Sequence, residues 1–184
     1  TDPDEAFELH KKSRAAYKAS AQEYRRLQHE TDETKVKLQS LLNAVALYYQ
    51  AQEWDESFAT LREAEKMLRD INAKDSTSAS ERKKNTKSLL GVISRRAALQ
   101  FRFFRIPEAI ANFREVYKLD PSGKVGADAL INAALLAFRN SNWNLAIELN
   151  EEVVRKFGSD FKRKTAKDDA NQRIIEGKVD PYGF

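Results

Sequence analysis

Trp54-Asp55-Glu56-Ser57-Phe58 returns twice in altered form, as Ile106-Pro107-Glu108-Ala109-Ile110 and as Trp143-Asn144-Leu145-Ala146-Ile147. The shared pattern is a large apolar residue, a small one three positions on, and another apolar one directly after it. Each copy follows one apolar helical stretch and opens another, so the repeating unit is a helix hairpin. Hairpins repeated along a chain stack on their neighbours rather than close around one catalytic pocket. The expected class is all-α, a stack of antiparallel helix hairpins, and the expected role is a binding surface.

Composition agrees with that reading. Only 6 Gly and 4 Pro in 184 residues, with 33% charged, leave few breaks for a many-stranded sheet and suit exposed helices. The net charge of +4 is small but uneven, because residues 74–105 hold nine Lys or Arg against Asp75 and Glu81. The absence of cysteine excludes disulfides and thiolate metal sites without choosing a compartment. No apolar run approaches the roughly 20 residues that span a bilayer. The first residue, Thr1, fits a processed or trimmed chain, so a signal peptide or lipid anchor would lie ahead of it.

Working outward from the three phrases divides the chain. Residues 1–31 read as one N-terminal helix, with Phe7, Leu9, Ala16, Tyr17, Ala21, Tyr24 and Leu27 at helical spacing and Asp4 as its cap. Residues 32–73 form the first hairpin and residues 80–121 the second, separated by the serine-rich loop 74–80, in which a serine caps the following helix. Pro107 falls at the start of the second hairpin's return helix, where its missing amide costs nothing. Residues 126–158 form the third hairpin, with Gly158 as its C-terminal stop. Residues 160–176 then read as a capping helix over the last hairpin's open face, and residues 177–184 as an irregular tail, all within a single helical-repeat domain.

The stretch Ile106-Pro107-Glu108-Ala109-Ile110-Ala111-Asn112-Phe113-Arg114-Glu115-Val116-Tyr117-Lys118-Leu119-Asp120-Pro121 resembles the return helix of a tetratricopeptide repeat, with its small residue after an acid and its closing Asp-Pro. The segments Leu41-Leu42-Asn43-Ala44-Val45-Ala46-Leu47-Tyr48-Tyr49 and Leu130-Ile131-Asn132-Ala133-Ala134-Leu135-Leu136-Ala137-Phe138 resemble that family's first helix. The sequence departs from the pattern where Ser57 replaces the usual alanine and Arg96 the usual leucine. The resemblance covers about residues 37–160 and implies a right-handed superhelix. The last two hairpins are more specifically similar to tetratricopeptide proteins of the bacterial cell envelope, which implies a periplasmic or envelope location, with the cytoplasm as the alternative.

Catalytic chemistry finds little to work with in this sequence. His10 and His29 are nineteen residues apart, too far for a pair one helical turn apart as a zinc site needs, and the glycines never cluster into a phosphate-binding loop. Adjacent acids such as Glu151-Glu152 diverge by about 100° on a helix and do not face one substrate. The expectation is a protein that is not an enzyme and needs neither cofactor nor metal.

The resemblance does imply a site. In a tetratricopeptide array the first helix of each hairpin lines the concave face, which carries over to Asn43 and Tyr49 in hairpin one. In hairpin two the positions are Arg95, Phe101 and Arg102, and in hairpin three Asn132, Phe138 and Arg139. Asparagine amides hold an extended peptide's backbone, arginines pair with acids, and aromatics provide flat contact area. The implied function is a scaffold that binds a partner protein segment in a basic, aromatic groove. Two alternatives stand beside it. In one, a terminal helix fills the groove and the chain is a homo-oligomerising structural subunit. In the other, the basic run from Arg82 to Arg105 binds nucleic acid, although its residues spread around the helix.

Overall fold

The computed structural model describes residues 2–165, with side chains described through residue 158. The chain is all-α: seven helices and no strand among the described residues. They are α1 (Pro3–Glu30), α2 (Thr34–Gln50), α3 (Trp54–Ala73), α4 (Ala79–Arg102), α5 (Ile106–Leu119), α6 (Lys124–Arg139) and α7 (Trp143–Thr165). Two compact units part between Val92 and Ile93, within α4.

The three turn phrases share one geometry. Gln52, Phe104 and Ser141, each two residues before a phrase, are the only non-glycine residues with positive φ among those described, at 59°, 57° and 57°. Around each, the next amide donates back to the carbonyl five residues earlier: Glu53 to Tyr48, Arg105 to Gln100 and Asn142 to Ala137, at 2.8–2.9 Å. The positive-φ residue's own amide donates three back, to Tyr49, Phe101 and Phe138. This is the Schellman arrangement, which satisfies the last carbonyls of one helix while reversing the chain. The small residue of each phrase, Ser57, Ala109 or Ala146, is then buried where the two arms meet.

In the first unit α1 packs on α2 and α2 on α3. Ala44 and Tyr48 of α2 cluster with Ala21 of α1, with Tyr24 and Leu47 packed against them, and Leu41 and Val45 of α2 and Leu61, Ala64 and Leu68 of α3 are buried. From α1 only Ala21 and Gln28 are buried, whereas Phe7, Leu9, Tyr17 and Leu27 stay exposed, so the apolar stripe expected of this helix is largely not core. Length accounts for Phe7 and Leu9: at 1.5 Å per residue α1 is about 42 Å long and α2 about 26 Å, so the start of α1 runs past the end of α2. Polar ties hold the rest. Arg14 Nε donates to the Ala51 carbonyl at 2.9 Å, and Arg25 and Glu63 approach to 2.7 Å. The α1 cap is Asp2 rather than Asp4, its carboxylate accepting from the Asp4 amide at 3.0 Å.

The loop before α4 carries a capping box. Ser78 Oγ accepts from the Glu81 amide at 3.2 Å, and Glu81 Oε2 accepts from the Ser78 amide at 3.0 Å. The Ser78 hydroxyl, which donates to Glu81 Oε2 at 2.7 Å, and then the Ser78 amide hold the Glu81 carboxyl below its ordinary range.

In the second unit α5 packs on α6 and α6 on α7. The Asp-Pro that closes α5 builds the next turn: Asp120 Oδ2 accepts from the Gly126 amide at 3.1 Å. Gly126 lies so close to this turn that a Cβ there would sit 1.8 Å from the Asp120 carbonyl oxygen. Helix α6 therefore starts at Lys124, two residues earlier than expected, with Gly126 inside it. Gly158 does not stop α7, which continues to Thr165. A glycine stops a helix where its backbone turns left-handed, and Gly158 does not adopt that conformation. The expected capping helix 160–176 thus overlaps α7 through residue 165, and its remainder and the tail 177–184 lie outside the described residues.

Candidate partner-binding surfaces

The eight residues implied as a groove divide between the units, Asn43 and Tyr49 in the first and the other six in the second. Asn43 is half-buried, and its Oδ1 accepts from Gln39 Nε2 one helical turn earlier at 2.9 Å. Tyr49 is half-buried with its ring edge-on to Trp54, centroids 5.3 Å apart, which ties it to the turn phrase. On α4, Arg95 and Arg102 are exposed and Phe101 is half-buried.

On α6, Gly126, Leu130, Ala133, Ala134 and Ala137 form the buried seam. The opposite stripe presents Ile131, Asn132, Leu135, Phe138 and Arg139, exposed or half-buried. These positions recur every three or four residues, so the structure brings Asn132, Phe138 and Arg139 onto one helix face. Close packing of the small seam residues holds that face in place.

Arg96, out of pattern in the sequence, has a structural role. Its Nη2 donates to Asn112 Oδ1 of α5 at 2.5 Å and lies 3.9 Å from Glu115, while Asn112 Nδ2 donates to Gln100 Oε1. A polar link between α4 and α5 thus replaces the apolar contact a leucine would make. Elsewhere in the basic run, Arg82 donates to the carbonyls of Lys74 and Thr77, and Arg105 donates to Glu108. These arginines brace helix ends and turns.

The sequence reading missed a surface on α7. Phe138 and Trp143 pack edge-on with centroids 5.1 Å apart. Together with Ile147, Asn150, Val154 and Arg155 they line a groove of about 540 Å³. Phe138, Trp143, Ile147 and Val154 are all more than half exposed. The signal lay in the phrase itself, since Trp143 and Ile147 continue at helical spacing to Val154; the apolar face was assigned to a cap beginning at residue 160. A smaller groove of about 340 Å³ in the first unit lies between Phe7, His10, Arg14 and Lys18 of α1 and the α2–α3 turn. There Lys18 is paired with Glu53 at 2.9 Å, which raises the lysine's pKa.

Among the described residues no cluster of three or more His, Cys, Asp or Glu could hold a metal, and no helix is long and apolar enough to cross a membrane. No family model matches the sequence, and no curated protein does. Among solved structures, BtubC (BKLC) from P. vanneervenii is similar with a TM-score of 0.53 at 17% identity, covering 80% of this chain. The chain spans 57% of that protein's length. At such identity the likeness speaks for a shared helical fold alone.

Proposed function

We propose that the chain is a non-enzymatic scaffold of tetratricopeptide type, its hairpins arranged as a superhelix, that binds an extended, acidic segment of a partner protein. The observation that carries this reading is the α6 stripe. A helix whose other face is a tight small-residue seam presents Ile131, Leu135 and Phe138 outward, flanked by the amide of Asn132 and the charge of Arg139. Apolar anchors with one amide and one cation at their edge suit a peptide whose backbone needs a hydrogen bond and whose side chains include an acid. Arg95 and Arg102 of α4 supply further positive charge. The placement in a bacterial envelope rests on the resemblance of the last two hairpins, and fractionation of host cells tests it.

Binding itself is tested in two steps. Cross-linking of the full chain in its host, read by mass spectrometry, identifies the partner segment, and fluorescence anisotropy with that peptide measures Kd. Phe138→Ala and Arg139→Ala are each expected to weaken binding by about tenfold, roughly 1.4 kcal/mol. Unchanged affinity across Asn132→Ala, Phe138→Ala and Arg139→Ala refutes the groove.

A further inference from the structure

The three hairpin turns share a backbone but not a surface. Their left-handed positions carry Gln52, Phe104 and Ser141, so only the α4–α5 turn puts an apolar side chain there. Phe104 is 87% exposed, beside Phe103 at 37%. A ring so exposed contributes little packing, and the conformation that carries it favours glycine. Backbone strain of this kind gathers at functional positions, and a protruding aromatic pair is a contact surface for something outside the chain.

Charge identifies that something. Because α6 runs back along α5 within the second unit, the start of α5 and the end of α6 share one end of it. Residues 94–109 and 135–147 build this end, and their only acid is Glu108. Arg96 is committed to Asn112 and Glu115, which leaves Arg95, Arg102, Arg105 and Arg139 exposed there. Arg105 donates to Glu108 yet keeps 52% of its side chain in water. The corresponding turn of the first unit carries Glu53, Asp55 and Glu56 in place of arginines. At the other end of α5 and α6, Lys118 and Lys124 are balanced by Asp120 and Asp128. The aromatic tip is thus also the basic one. Two rings side by side on a convex turn, with arginines around them, match an anionic bilayer, which has no shape to fit. The rings enter the boundary between headgroups and acyl chains, and the guanidinium groups meet lipid phosphates. Trp143, 54% exposed at the same end, adds an indole, a side chain enriched at such boundaries.

We propose that the α4–α5 turn docks this chain on an anionic lipid surface, with Phe103 and Phe104 inserted and Arg102 and Arg105 against the headgroups. The inference stands apart from the peptide-binding reading, whose test residues are Asn132, Phe138 and Arg139. The full chain is expected to sediment with vesicles of phosphatidylcholine and phosphatidylglycerol, to bind vesicles of phosphatidylcholine alone several-fold more weakly, and to lose affinity as salt rises. Phe104→Gly is the most informative variant, because it removes the ring while relieving the backbone and so separates lost binding from lost fold. It should weaken binding by about fivefold or more, as should Phe103→Ala. Arg105→Glu should weaken it by about tenfold at low salt. Gln52→Gly, at the equivalent turn of the first unit, should leave binding unchanged.

Insertion itself has a spectroscopic signature. The Phe104→Trp variant should be quenched by lipids brominated on their acyl chains beyond the quenching of the parent protein. No binding to phosphatidylglycerol vesicles at low salt, or binding that Phe104→Gly and Arg105→Glu both leave intact, overturns the proposal. A photo-crosslinker at position 104 that marks one protein in host cells while the vesicles are ignored also overturns it, and makes the tip a protein contact instead.

Discussion

Replacing Phe104 by glycine should stabilise the protein, although it removes an aromatic ring. Phe104 holds φ at 57° in the α4–α5 turn with its side chain 87% exposed. An L-residue in the left-handed region costs about 1–2 kcal/mol relative to glycine. Glycine in turn gives up about 0.4–1 kcal/mol through the greater freedom of its unfolded chain. The ring buries little, so its loss contributes little, and the balance favours glycine by about 0.5–1 kcal/mol. For a chain of this size that raises Tm by about 1–4 °C. Phe104→Ala removes the same ring but keeps a Cβ in the strained conformation, so the glycine-minus-alanine difference isolates the backbone term. Phe104→Val, β-branched at positive φ, should fall below wild type. Calorimetric unfolding of the four proteins side by side is the assay. Equal Tm for the glycine and alanine variants, or a lower one for glycine, would refute the view that the turn stores left-handed strain.

Three further outcomes follow from the packing. Gly126→Ala should cost about 1–3 kcal/mol by urea unfolding, because the clash with the Asp120 carbonyl outweighs alanine's helix-propensity gain of about 1 kcal/mol; a neutral result would mean that the turn yields freely. Ser57 Oγ is buried with no hydrogen-bond partner among the described residues, so Ser57→Ala should stabilise by about 1 kcal/mol in the same assay. Tyr117 donates to Glu152 at 3.0 Å, and burial, followed by that bond, raises its pKa above the ordinary value of 10.0. A raised phenol pKa means the unfolded chain loses its proton first, so this contribution is complete below about pH 10 and declines above it. Tyr117→Phe should lessen the alkaline fall in the urea midpoint, and an unaltered pH profile would count against the bond.

Much of the fold was legible because turns are written locally. The small residue that packs between two antiparallel arms must be small wherever the arms meet, so Ser57, Ala109 and Ala146 announce three hairpins before any contact is known. The left-handed residues were not legible, since Gln52, Phe104 and Ser141 share no side-chain chemistry. They occupy that conformation because the hairpin's closure demands it, not because their propensities favour it. Gly158 misled for the complementary reason: a glycine permits a stop without requiring one, and here α7 runs on. Arg96 read as a blemish in the repeat until its link to Asn112, sixteen residues away, gave it a place.

The candidate surfaces divide along the same line. Composition and periodicity pointed to an all-α chain of hairpins, because a helix's faces follow from a 3.6-residue period that any segment reveals by itself, while Asn132, Phe138 and Arg139 came from the resemblance to tetratricopeptide arrays. Which apolar residues end up covered is a property of neighbours distant in sequence, and only the tertiary structure decided it. Ile110 and Ile147 occupy the same position in the same phrase, yet one is buried and the other stands open on α7.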